Sequence, residues 1–257
     1  MSWAEVLAVL LAGIGAGTIN AVVGSGTLVT FPVLLAIGFP PITANVSNNI
    51  GLVPGGVSGT VGYRAELRGQ RRAITVLAPM SLLGAVAGAL LLLRLPAEAF
   101  RAIVPVLIGI ALVLVVLQPR IQAAVARRRE ASPGSSGRGN LGAAMAGTLV
   151  AGAYGGYFGA AQGVLLVGLL GSLLPESLQR VNALKNLLSL IVNSVAALVF
   201  LAVAREHIDG QVVATIAVGS LIGGYLGARF GRRLPPGVLR ALIVVVGVLA
   251  IVRILTQ

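Results

Sequence analysis

Ten apolar stretches organise this chain, at residues 4–23, 27–38, 46–63, 73–93 and 102–117, then at 141–159, 163–174, 187–204, 212–228 and 241–255. A helix needs about 20 residues to cross a hydrocarbon core about 30 Å thick. Most of the stretches come close to that length. Two do not: 27–38 and 163–174 hold twelve residues each, enough for about 18 Å. Composition points the same way, with 57% hydrophobic and only 10% charged residues in the 257. A soluble domain carries about 25% charged residues and cannot hide so much apolar surface. A soluble enzyme, a nucleic-acid binder and a disordered tail are therefore excluded, and the fold class predicted is an all-α polytopic membrane protein. Cys is absent and His occurs once, which removes disulfides, thiolate chemistry and His-based metal clusters together. No cofactor and no metal are expected.

The two series of stretches match each other. Asn45-Val-Ser-Asn48-Asn49 aligns with Asn182-Ala-Leu-Lys185-Asn186 at an offset of 137, and Gly26 meets Gly163 at the same offset. Further on, Ser81-Leu-Leu-Gly84 aligns with Ser220-Leu-Ile-Gly223, and Arg94-Leu-Pro96 with Arg233-Leu-Pro235, now at 139. The change of two falls in a loop, where insertions are tolerated. Both short stretches occupy equivalent places. The chain thus reads as a first transmembrane repeat over 1–117, a basic linker over 118–140 rich in Arg, Gly, Ser and Pro, and a second repeat over 141–257. The first stretch resembles a secretory signal only in being apolar. The only charge at its start is Glu5, a signal needs a basic n-region, and the stretch recurs later, so it belongs to the fold.

Charge sets the orientation. Loop 64–72 carries net +3, the linker net +4, and loop 229–240 four Arg with no acid, whereas 205–211 nets −1. The positive-inside rule puts the three basic regions in the cytoplasm. Stretch 46–63 then ends inside and its copy 187–204 ends outside, so the repeats are inverted. Ten crossings with both termini outside satisfy the charges. Fewer crossings, with 4–38 and 141–174 as re-entrant hairpins, satisfy the same parity.

Inverted repeats with paired short helices are the pattern of secondary transporters, whose sites lie between the repeats near the midplane. Irregular backbone at that depth survives only when buried or lining a wet cavity. Here it falls at Gly24-Ser25-Gly26 and Gly159-Ala-Ala-Gln162-Gly163. Asn45 and Asn49, and likewise Asn182 and Asn186, are four apart and share a helix face. Each pair opens a long stretch, where free N–H groups and the helix dipole favour an anion. Lys185 is the single Lys among 19 basic residues and stands where the first repeat has Asn48. A compact ammonium differs from the guanidinium used everywhere else. The competing readings are structural: Asn caps or bonds neighbouring helices, and Lys near a helix end snorkels to the interface. Gly219, Gly223, Gly227 and Gly231 form a small-residue stripe suited to close helix packing or, alternatively, to a homodimer contact. Apart from Glu5 at the very start of the first, no Asp or Glu lies within a long apolar stretch, so coupling through a buried carboxylate has only Glu66 and Glu176, at stretch ends, as candidate carriers.

These residues resemble the sulfite exporter TauE/SafE family, also called the toluene sulfonate uptake permeases. The resembling segments are Gly-Thr-Ile-Asn20-Ala-Val-Val-Gly24-Ser-Gly26 through Phe31-Pro32, and Ala44-Asn45-Val-Ser-Asn-Asn49. In the second half they are Gly155-Gly-Tyr-Phe-Gly159-Ala, Asn182-Ala-Leu-Lys-Asn186 and Gly223-Gly-Tyr-Leu-Gly227-Ala-Arg229. The resemblance implies a non-enzymatic permease of the bacterial inner membrane that moves sulfite, sulfonates or related sulfur-containing organic acids. One departure is that Ser25 interrupts the family's glycine run near Gly24, and the second copy reads Ala160-Ala161-Gln162. The expected substrate contacts are Lys185, Asn45, Asn49, Asn182 and Asn186, with Asn20, Ser25 and Gln162 as further ones. The expected partners are a small anion and the bilayer. A passive anion channel and a permease for small carboxylates are the alternatives.

Overall fold

The computed structural model describes residues 1–131, 141–231 and 236–255. Ten α-helices account for nearly all of them. The first half holds α1 (Trp3–Val22), α2 (Thr27–Ile37), α3 (Pro41–Gly62), α4 (Arg71–Arg94) and α5 (Ala97–Ala131). The second holds α6 (Leu141–Tyr157), α7 (Gln162–Leu173), α8 (Leu178–Val203), α9 (Gly210–Phe230) and α10 (Pro236–Leu255). No strand occurs among the described residues. The chain is an all-α polytopic membrane protein. Five helices are long and apolar enough to cross a bilayer: α1, α4, α8, α9 and the part of α5 at Glu98–Ala124. Their outward residues are large and apolar, as at Leu11, Leu83, Val113, Leu198 and Leu221, a surface suited to lipid and not to water.

Local chemistry explains several boundaries. Ser2 and Glu5 form a reciprocal cap at the start of α1, Glu5 N–H donating to Ser2 Oγ (3.3 Å) and Ser2 N–H to Glu5 Oε2 (2.7 Å). Helices α2 and α7 are the two short elements, with 11 and 12 residues. Each turns back along the helix before it: Gly15 of α1 lies beside Val29, and Gly147 and Gly155 of α6 beside Leu169 and Gln162. The result is a hairpin in each half.

Two expectations need correction. The chain does not leave its helix at 118, because α5 continues to Ala131 and Gln118 is buried, donating to Val23 O. Gln, Ala and Arg are good helix formers, so loss of hydropathy there does not mean loss of helix. Residues 132–140 of the expected linker lie outside the described residues. Nor do the Asn motifs sit at helix starts. Pro40 and Ser177 precede α3 and α8, with Ser177 Oγ accepting from Arg180 N–H. The asparagines lie a turn further in, so no free N–H groups surround them.

The packing partners recur with the halves exchanged. Helix α1 packs most closely on α9, and its counterpart α6 on α4. Helix α2 meets α10 as α7 meets α5, and α3 and α8 meet each other. Glycines set the two closest pairings. Gly219, Gly223 and Gly227 lie against the backbone of α1 from Leu10 to Thr18, and Gly84 and Gly88 against α6 from Leu149 to Tyr157. The stripe at 219–231 is thus covered inside the chain, on the reading of close helix packing.

Candidate functional site

The central feature is a crossing of the two loops that separate long from short helices. Gly24, with φ +93°, and Gly163 touch backbone to backbone, and Gly163 N–H donates to Gly24 O at 3.1 Å. A Cβ on Gly24 would stand 2.5 Å from Gly163 Cα. Both positions therefore need glycine, the first for conformation as well as for space. The side chain of Lys185 lies against this crossing; its Cδ would be 3.2 Å from a Cβ on Gly24.

Lys185 is the one charged side chain among the buried residues described. Its Nζ donates to Asn20 O (2.9 Å) and Ala21 O (3.3 Å). Both carbonyls belong to the last turn of α1, where the helix dipole favours a cation. Asn182 and Asn186 donate from Nδ2 to the same Ala21 O, at 3.3 and 3.2 Å. Three donors of α8 thus converge on the end of α1. The other motif acts reciprocally: Asn45 Nδ2 donates to Tyr157 O at the end of α6, at 3.0 Å. Each Asn motif grips the end of the opposite half's first helix.

The halves differ around this shared plan. Asn48, which stands where Lys185 stands, accepts from Thr30 Oγ1 and donates to Thr27 Oγ1. Tyr157 and Phe158, equivalent to Asn20 and Ala21, join an aromatic cluster. Phe158 meets Phe31 edge to face at 5.2 Å, and Tyr157 meets Phe100 at 5.8 Å. Small residues at the end of α1 leave space where the aromatics fill it.

That space is a narrow recess lined by Asn20, Ala21, Gly55, Gly56, Gly59, Asn186, Ser189, Leu190 and Asn193. It leaves about 10 Å³ for the centre of a water-sized sphere, room for about one water. Of the eight residues expected from sequence, Asn20 and Asn186 line it. Lys185 and Asn182 lie behind its wall, bound to the carbonyls of Asn20 and Ala21 that the wall contains. Asn45, Asn49, Ser25 and Gln162 are buried elsewhere around the crossing. Ser25 Oγ, Asn49 Oδ1 and Gln162 Nε2 have no hydrogen-bond partner among the described residues. Ser189 and Asn193 were not anticipated. Their signal was present, since they follow Asn186 by three and seven residues and so share its helix face.

A helical membrane protein with two like halves, a short helix in each and a buried polar centre has an architecture suited to transport. The chain matches the family described as Sulfite exporter TauE/SafE over residues 9–254, and it belongs to that family. It is 30% identical to the Probable membrane transporter protein YfcA of Escherichia coli (strain K12) over 223 residues, 85% of this chain and 76% of the relative. Identity is 25% over 234 residues with a Probable membrane transporter protein of Haemophilus influenzae, covering 90% of this chain and 85% of that one. A shorter match, 36% over 98 residues, links it to the Probable membrane transporter protein ORF9 of Sinorhizobium sp, covering 38% of each. No solved structure matches. The protein is a multi-pass membrane transporter.

Proposed function

We propose that this transporter moves a small anion, sulfite, a sulfonate or a related sulfur-containing organic acid, across the bacterial inner membrane by alternating access. The observation that carries the reading is Lys185. It is fully buried and, among the described residues, bonded to two backbone carbonyls and to no acidic partner. An unpaired charge in the interior is costly. The dipole of α1 offsets part of that cost, and an anion arriving beside it offsets the rest.

Alternating access rests on the asymmetry of the halves. The recess adjoins the C-terminal part of α3, towards the basic loop that follows it, which the charge rule places in the cytoplasm. The aromatic cluster of Phe31, Phe100 and Phe158 lies at the other end of α4, on the side read as external. The two halves, 1–117 and 141–257, are read as inverted copies, and exchange of the open and filled ends between them provides the cycle.

The test is ligand-dependent melting of detergent-purified protein with sulfite, methanesulfonate, acetate and a cationic control, followed by counterflow in liposomes. A ligand at 100 times its Kd adds about 2.7 kcal/mol of stability. Removing a donor from a charged ligand costs about 1.5–3 kcal/mol, so Lys185→Ala should weaken anion binding roughly ten- to a hundredfold. A shift with acetate alone would discard the sulfur chemistry. Flux without saturation or counterflow would discard the carrier. Wild-type affinity in well-folded Lys185→Ala would remove Lys185 from the site.

A further inference from the structure

Helices α3 and α9 end side by side. Gly62, the last residue of α3, lies so close to Ala228 that a Cβ on it would collide with that of Ala228. Tyr63 is buried in a cluster with Ala183 and Ala228. Just beyond this contact stand Arg64 and Arg229, both exposed. Two turns back, Ser58 Oγ donates to Leu221 O at 3.0 Å, so the helices run together along this length. Val57 and Val61 on α3, and Leu221 and Tyr225 on α9, are pairs four apart, and all four side chains are exposed. An apolar strip therefore runs along the end of the spanning helix α9 up to two guanidinium groups.

The chain leaves both of these charges unneutralised. Arg64 Nη1 donates to Val61 O (3.4 Å), and Arg229 Nη1 to Tyr225 OH. The Arg229 guanidinium also lies 5.8 Å from the centre of the Tyr225 ring and 5.5 Å from that of Phe230, close enough for the rings to attract and hold it. Neither arginine pairs with a carboxylate among the described residues. By contrast Arg180, on α8, is committed to Glu176 and to Arg68 O. A guanidinium carries five N–H donors in a rigid fork, so most of those on Arg64 and Arg229 remain for a ligand.

We infer that this end of α3 and α9 binds an anionic phospholipid, with its phosphate on Arg64 and Arg229 and an acyl chain along Val57, Val61, Leu221 and Tyr225. Guanidinium groups bind phosphate oxygens through paired, charge-assisted hydrogen bonds. The strip gives the site an apolar requirement that a free phosphate does not meet. Two unpaired cations repel the ammonium of a zwitterionic headgroup and attract an anionic one. The aromatic residues Tyr225 and Phe230 fit the level at which a spanning helix leaves the bilayer. The lipid site is distinct from Lys185 and the recess, and it does not depend on which solute is transported.

Native mass spectrometry of the purified full-length protein, titrated with phosphatidylglycerol or with phosphatidylethanolamine of the same chains, reads the first bound lipid. Phosphatidylglycerol should bind at least about tenfold more tightly. Arg64→Gln and Arg229→Gln should each weaken it about fivefold or more. The control is Arg71→Gln with Arg72→Gln, which removes two exposed charges from the start of α4, a helix packed on α6 and α8. That control should change the affinity less than about twofold, because the charges removed lie outside the site. All four arginines are exposed, so lipid-free melting should match wild type. An excess of glycerol 3-phosphate should leave the lipid in place. Displacement by it would assign the arginines to a free phosphate and overturn the lipid site. Equal affinities for the two lipids, or an equal loss in the control, would reduce the effect to the general attraction of a basic rim and overturn the site as well. Should Arg229→Gln lose its fold, Arg64→Gln against the control decides the question.

Discussion

Replacing Gly24 by Ala tests the loop crossing on which the centre of the molecule is built. Two separate costs can be worked out from its geometry. The first is conformational: at φ +93° an L side chain is strained, at about 1–2 kcal/mol. The second is steric, because the new Cβ would stand 2.5 Å from Gly163 Cα and 2.9 Å from Gly163 C. Those atoms are backbone and cannot rotate aside, so overpacking adds about 1–3 kcal/mol. Together they predict a loss of roughly 2–5 kcal/mol. Gly163→Ala has the steric part only, with its Cβ 2.8 Å from Gly24 O and 2.9 Å from Lys185 Cδ, and should lose about 1–3 kcal/mol. Gly109 in α5 has nothing within 4 Å of an added Cβ, so Gly109→Ala should gain about 0.5–1 kcal/mol from helix propensity. Reversible unfolding by SDS titration in mixed micelles, followed by far-UV circular dichroism, measures all three. Thermal melting should place them in the same order, at about 2–4 °C per kcal/mol for a chain of this size. A Gly24→Ala protein within about 0.5 kcal/mol of wild type, the ordinary range for an inconsequential surface change, would refute the crossing as described.

Two further predictions concern buried polar pairs. Asn48→Leu removes the partner of both Thr27 and Thr30 and should cost about 1–3 kcal/mol in the same titration. Adding Thr27→Val and Thr30→Val should recover most of that loss, because the other half carries Val164 and Val167 at the equivalent places; a triple variant no better than the single one would refute the pairing. Ser220→Ala removes a hydroxyl that accepts from Gly55 N–H (3.2 Å) and donates to Gly51 O (2.8 Å). It should cost about 1 kcal/mol, read as a lower melting temperature with anion affinity unchanged, since Ser220 Oγ bonds the backbone of α3 and does not line the recess.

Helix positions were legible wherever hydropathy and helix structure coincide. Stretch 27–38 became Thr27–Ile37 and 163–174 became Gln162–Leu173, because both ends carry glycine or a connecting loop. At 118 the two signals part: the apolar run stops while Gln, Ala and Arg carry α5 on to Ala131. The same separation misplaced the Asn motifs, which resemble helix caps by residue type although Pro40 and Ser177 hold the cap positions. Among the polar residues, composition singled out Lys185 and duplication singled out the asparagines. Neither signal marks Ser189 or Asn193, whose counterparts in the first half are Leu52 and Gly56, so no repeat draws attention to them.

The sequence by itself determined residence in a membrane, the order of long and short helices and the register of the two halves. These follow from hydropathy, length and self-similarity, all of which are read along the chain. Only the tertiary structure decided what each polar group faces. Lys185 finds its acceptors at Asn20 and Ala21, and Asn45 finds its own at Tyr157, in each case in the opposite half. A hydrogen bond between segments depends on where two helices end relative to each other, and a cavity depends on the side chains that fail to fill it. At the end of α1 those side chains are small, and at the end of α6 they are aromatic. Such volumes are properties of packed helices, set by neighbours that no local pattern specifies.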